Sequence, residues 1–299
     1  MKTFTGAWPA LITPITQDGS VNVSAARDLI DYLLSKGADG FYLCGSTGQG
    51  VYMSTSQREL MLETAVDQVK GRVPIIAHVG SMVTEDAVHL ARHAYDVAVD
   101  GVSSIIPPQF TTIETLFAYF AEIGEAVPEL PVLPYILSTS INIVDFMQKL
   151  LEIPNVAGTK YTGPNMFEFN EIMQLGNAMR PGGWTTFSGM DEQCLYAAMS
   201  GSSGNIGSTL NFMPGIYKAI HRAHQTGNLA TANDLQLRAN EVTRTAIRFG
   251  FTGTMREMMA MLGIDVGPPL LPGLPLPQAR RAELHEALAE VDFMEIAEI

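Results

Sequence analysis

Lys160 closes the stretch Ile153-Pro-Asn-Val-Ala-Gly-Thr-Lys160-Tyr-Thr162, whose short apolar run begins after Pro154 and Asn155. That pattern predicts a buried strand with Lys160 at its C-terminal end. The chain has six lysines. Lys36, Lys70, Lys149 and Lys218 fall on helical-looking segments and Lys2 on the tail, where a solvated cation is the plain reading. Lys160 alone leaves a strand core. Desolvation lowers an amine's pKa, and a neutral lysine amine can attack a carbonyl to form a Schiff base. The competing reading of this position is a buried ion pair.

The elements around it follow from periodicity. Strands are expected over residues 6–12, 40–44, 73–79, 101–106, 131–135, 156–160, 184–187 and 203–206. Between them lie helical patterns over 24–35, 54–69, 84–97, 113–126, 144–152, 166–177 and 191–199, with Thr84 and Glu85 as a capping start to the third. Eight strand–helix alternations predict an α/β chain closed into a (β/α)8 TIM barrel. A doubly wound open sheet is the alternative, but no G-x-G-x-x-G follows the first strand. Helices are expected after the barrel over 214–226, 229–249, 254–262 and 278–291, with a proline-rich connection at 267–277. The first of them completes the barrel. Residues 1–225 are therefore read as the barrel and 226–299 as a helical appendage, with no linker marking an independent domain.

Barrels place their chemistry at the C-terminal strand ends. There the chain offers Ser46 and Thr47, Tyr135, Lys160, then Gly189, Asp191 and Glu192, and last Gly207 and Ser208. In Gly45-Ser46-Thr47-Gly48-Gln49-Gly50, backbone N–H groups and hydroxyls can hold a carboxylate, though an ordinary strand-to-helix turn has the same composition. Tyr135 alone reads as a core aromatic; opposite a Schiff-base lysine it becomes a proton-transfer group. Asp191 and Glu192 suit either a helix start or sugar hydroxyls. His89 with His93, and His221 with His224, have helical spacing without a nearby carboxylate loop, so they are expected at the surface. His78 is expected to pack beneath the site, and Met255 to Met261 to form a core-facing stripe.

Composition limits the partners. A net charge of −13 without a basic patch argues against nucleic acid and anionic membrane surfaces. Cys44 and Cys194 complete no zinc spacing and are expected reduced and buried in a cytoplasmic protein. No basic-then-apolar leader and no apolar run of about 20 residues is present in the sequence.

Together the motif Gly45 to Gly50, Ile76-Ala-His-Val-Gly80, Tyr135, Gly158-Thr-Lys160 and Gly207-Ser208-Thr209 resembles the N-acetylneuraminate lyase and dihydrodipicolinate synthase family of class I aldolases. The likeness runs over residues 6–271. Ser188-Gly189-Met-Asp191-Glu192, Gly207-Ser208-Thr209-Leu-Asn211 and Gly267-Pro268-Pro269 look most similar to the N-acetylneuraminate lyases. The resemblance implies Lys160 as Schiff-base former, Tyr135 as proton shuttle, and Ser46 and Thr47 as carboxylate holders. It also implies that Thr162, Gly189, Asp191, Glu192 and Ser208 contact the sugar chain, with no metal or other cofactor, in a homotetramer. Cleavage of a 2-keto sugar acid such as N-acetylneuraminate is the activity implied. A lyase or dehydratase on another keto acid such as 2-keto-3-deoxygluconate, and a non-catalytic sugar-acid sensor, are the alternatives. The departures from the family pattern are Gln49 for a glutamate, Phe110 for a tyrosine, and Ile136-Leu137-Ser138 for Asn-x-Pro after the tyrosine. Thr139 and Ser140 stand where the synthases carry an arginine, which argues against dihydrodipicolinate synthesis.

Overall fold

The computed structural model describes residues 4–137 and 141–299. Strands β1 (Gly6–Pro9), β2 (Phe41–Leu43), β3 (Ile75–His78) and β4 (Gly101–Ile105) are followed by β5 (Val132–Leu137), β6 (Gly158–Thr162), β7 (Thr185–Ser188) and β8 (Gly204–Gly207). All pair in parallel, in the order β1-β8-β7-β6-β5-β4-β3-β2. The seam between β1 and β2 is joined by an Ala10–Tyr42 bridge, with the Leu11 amide donating to the Tyr42 carbonyl at 2.9 Å. The sheet thus closes into the (β/α)8 barrel that the alternation predicts.

Helices α1 (Val23–Ser35), α2 (Thr55–Val69), α3 (Thr84–Asp96) and α4 (Ile113–Ala126) cover one half of the wall. Helices α5 (Ile143–Leu150), α6 (Met166–Met179), α7 (Cys194–Met199) and α8 (Pro214–Gln225) cover the other. Side chains alternate across each strand, so one set fills the barrel and the other meets the helices. On β5, Leu133 and Tyr135 point inward to Trp8, Tyr42, Phe187 and Ile206, whereas Val132 and Ile136 join the helix-side core.

Several element ends differ from the sequence expectation. The α3 cap is Val83, which offers no side-chain bond, and Thr84 is already the first helical residue. Residues 191–199 split into a 3-10 turn at Asp191–Gln193 and the short α7. Beyond the barrel run α9 (Leu229–Arg248) and α10 (Phe251–Met261), then α11 (Arg281–Ala289) and α12 (Phe293–Glu298). The last helix was not foreseen; Phe293 anchors it against Phe212 at a ring separation of 6.0 Å. Met255, Met258 and Met259 are buried as expected of a core stripe. Among the described residues no helix is long and apolar enough to cross a membrane.

Candidate active site

Tyr135 and Lys160 are directly opposed in the β5–β6 register, so both side chains leave the wall inward at the same height. The Lys160 amine lies 4.1 Å from the Tyr135 ring centroid and 4.5 Å from that of Tyr42. Lys160 is only 4% exposed. Burial pulls its pKa below the ordinary lysine value, while the hydrogen-bonded Tyr135 and the charge of Asp191 pull back more weakly. No ion pair to it exists among the described residues, which removes the buried-ion-pair reading of this position.

The floor beneath the amine is polar, with the Arg58 guanidinium donating to the His78 carbonyl behind it. The Tyr42 hydroxyl donates to Ser103 Oγ at 2.9 Å, and burial holds its pKa well above the usual phenol range. His78 Nε2 accepts the Ile105 amide at 3.0 Å. Burial first, then Arg58 and Lys160, push its pKa well below the usual imidazole value, so the ring stays neutral. His78 therefore packs beneath the site as a fixed structural group.

Around the mouth, Thr47 Oγ1 and Ser208 Oγ are 2.6 Å apart and span the loops after β2 and β8. Ser46 beside them is exposed. Thr162 Oγ1, two residues beyond Lys160, is buried with no hydrogen-bond partner among the described residues. Gly189 makes that crowding possible: a Cβ there would sit 1.7 Å from Thr162 Oγ1 and 3.0 Å from Lys160 Cε. Gly189→Ala is accordingly expected to cost about 1–3 kcal/mol of stability, the range for overpacking a filled interior. Denaturant unfolding checks this, and wild-type stability would show that the loop gives way without strain.

Asp191 is buried and turned toward β8. Its Oδ2 accepts from the Thr209 amide at 3.0 Å and the Thr209 hydroxyl at 2.7 Å, and its Oδ1 from Asn205 Nδ2 at 3.3 Å. Burial raises its pKa to about 6 against the lowering effect of those bonds. A side chain on Gly207 would collide with it. Glu192 is half-buried, and its carboxylate has no hydrogen bond or ion pair among the described residues. The turn carrying both is clamped from α9. Gln236 donates to the Asp191 carbonyl at 3.0 Å and accepts from the Leu195 amide at 2.8 Å, and Asn240 donates to the Glu192 carbonyl at 3.2 Å.

Gln49 is fixed by the appendage as well. Its Nε2 donates to the Leu270 carbonyl at 2.8 Å, while its Oε1 accepts from the Leu270 amide at 2.9 Å and from Arg256 at 3.2 Å. Phe110 packs edge-on against Tyr119 of its own chain, with ring centroids 5.8 Å apart. Ser138, Thr139 and Ser140 lie outside the described residues. Cys44 and Cys194 are free and buried. His89 and His93 pair with Glu59 and Glu63 on α2. His221, expected at the surface, is instead largely buried, with Nε2 3.0 Å from Asn205 Oδ1 and 3.5 Å from Cys194 Sγ. Among the described residues no group of three or more His, Cys, Asp or Glu could hold a metal ion.

The sequence profile of the Dihydrodipicolinate synthetase family matches residues 3–291. An N-acetylneuraminate lyase of Rhizobium meliloti (strain 1021) is 32% identical over 292 residues, covering 96% of this chain and 95% of that one. One of Danio rerio is 31% identical, covering 94% of each. The solved structure of Proteus mirabilis N-acetylneuraminate lyase superposes with a TM-score of 0.91 at 26% identity, over 98% of this chain and all of the other.

Proposed function

Since the chain belongs to the dihydrodipicolinate synthetase family, a family of class I aldolases, we propose that it cleaves N-acetylneuraminate to pyruvate and N-acetylmannosamine. The observation that carries this reading is a buried lysine with no ion pair among the described residues, facing a tyrosine hydroxyl across one strand pair. Neutral Lys160 adds to the C2 carbonyl, and loss of water gives an iminium. Tyr135, left as the phenolate after giving its proton to the departing water, takes the C4 hydroxyl proton as the C3–C4 bond breaks, and the bonding electrons flow into the iminium to leave an enamine of pyruvate. Protonation at C3 and hydrolysis release pyruvate and the free amine. The protonated imine is the electron sink, so the scheme calls for no metal or nucleotide. The same reading carries a cytoplasmic homotetramer, with Ser46 and Thr47 toward the substrate's carboxylate end and Thr162, Gly189 and Ser208 close to its chain.

Asp191 already has both oxygens occupied, so recognition of the hydroxyl tail falls to Glu192. Glu192→Ala should weaken kcat/KM for N-acetylneuraminate by about 1.5–3 kcal/mol, the range for a lost hydrogen bond to a charged group. Trapping of pyruvate on Lys160, which involves no tail, should stay near normal. The occupied Asp191 also favours a second reading, a shorter acid such as 2-keto-3-deoxygluconate. A smaller loss on that acid than on N-acetylneuraminate supports the first reading. Equal losses on all three ligands would mean that Glu192 only supports the turn.

A further inference from the structure

The carboxylate of Asp191 is held by two arms that end on one face of α8. A carboxylate only accepts, so Asn205 must present its amide N–H to Asp191 and its oxygen to His221. His221 Nε2 therefore carries the proton in that contact. On the other arm the single Thr209 proton serves Asp191, so the Tyr217 hydroxyl donates to Thr209 Oγ1 at 2.7 Å. Tyr217 and His221 stand one helical turn apart. Tyr217 is sealed in the core. His221 is not: it lines a cavity of about 1060 Å³ at the N-terminal end of the barrel, opposite the mouth that holds Lys160.

That cavity gathers positive groups in a chain whose net charge is −13. Lys36 and Lys218 line it with carboxylate partners, Glu298 and Asp39. Arg222 and His224 line it with no ion pair or side-chain hydrogen bond among the described residues. Ser202 contributes a buried hydroxyl that has no hydrogen-bond partner among the described residues. His221 Nδ1 likewise has no protein partner there. These uncommitted groups match a compact oxyanion, a phosphate or a small carboxylate, which takes donors from several directions.

We propose that this cavity is a second, non-catalytic site for a small oxyanion, and that His221 and Asn205 transmit its occupancy to Asp191. The neutral His221 ring offers Nδ1 only as an acceptor, so an oxyanion there requires that nitrogen to take up a proton. Burial lowers the pKa of His221, while Asp39 pulls it up and His224 pulls it down. Lys36, Lys218, Arg222 and the main-chain carboxylate of Ile299 are the other charged groups lining the cavity, and Cys194 on α7 is the remaining titratable neighbour of the ring. Protonated His221 polarises the Asn205 amide and adds positive charge behind Asp191. Both effects favour ionised Asp191 and keep the turn carrying Glu192 in place at lower pH. This link to the turn rests on the lyase reading of the site; the binding itself does not.

Inorganic phosphate is the probe. Calorimetry near neutral pH, in buffers of different ionisation enthalpy, should show binding accompanied by proton uptake. Joint Arg222→Ala and His224→Ala substitution should weaken binding by about 10–100-fold. His221→Gln keeps an N–H for Asn205 but cannot titrate, so phosphate should still bind it without the proton. Absence of binding, or binding indifferent to those substitutions, would overturn the site. For the coupling, phosphate should move the acid limb of kcat/KM for N-acetylneuraminate, the quantity that needs Glu192, to lower pH in the wild type and not in His221→Gln. An unmoved limb with binding intact would overturn the transmission and leave the site. Failure of the lyase reading would instead appear as absent trapping with phosphate binding unchanged.

Discussion

Lys160→Arg is expected to abolish turnover in a protein that still folds. Arginine keeps the positive charge, but its guanidinium does not deprotonate near neutral pH and cannot serve as the nucleophile. Lysine at this position is biased toward the neutral amine by burial, with aromatic faces of Tyr42 and Tyr135 in place of water. The companion measurement is borohydride reduction in the presence of pyruvate, which should fix a pyruvyl adduct on Lys160 alone. Lys36, Lys149 and Lys218 are each engaged in an ion pair with a carboxylate. An adduct on one of those peptides, or none at all, would remove the Schiff base from the mechanism.

Tyr135→Phe carries the second large effect. The ring is 4% exposed and packs edge-on with Tyr42 and His78, so phenylalanine keeps the packing and loses one hydroxyl. kcat should fall by roughly 10²–10⁴-fold, the usual contribution of positioned acid–base catalysis. Retention of near-native kcat in a folded variant would assign the proton to another group.

The barrel was legible in the sequence because each strand is a short apolar run closed by a turn, and each helix carries a repeating stripe. Lys160 and Tyr135 were legible for a related reason: a lysine and a tyrosine at adjacent strand ends stand out against apolar neighbours. Their register was not, since pairing depends on strand offset. Asp191 shows where single-segment reading stops. Its position at a short helical turn suggested capping or sugar contact, whereas its partners Asn205 and Thr209 come from the next strand and the turn beyond it. Gln236 and Asn240 were missed too, although they left a signal. They are amides four residues apart on α9, a helix whose buried face also carries Ala232, Ala239, Val242, Thr243, Thr245 and Ala246. A polar pair on such a face is held there by partners, here the backbone around Asp191 and Glu192.

Gln49 has a consequence for how this chain can change. Arg256 is 7% exposed, and among the described residues its bonds run to the carbonyls of Thr13, Val266 and Gly267 and to the Gln49 amide oxygen. A glutamate at position 49, the residue the family resemblance leads one to expect, would give that guanidinium a counter-charge, a charge-assisted bond of about 1.5–3 kcal/mol. It would also take away the N–H that the Leu270 carbonyl receives, a loss of about 1–3 kcal/mol for a buried acceptor. The two terms are of similar size and opposite sign. Glutamine and glutamate are therefore near-equivalent solutions at this joint, and a lineage can drift between them without passing through an unstable protein.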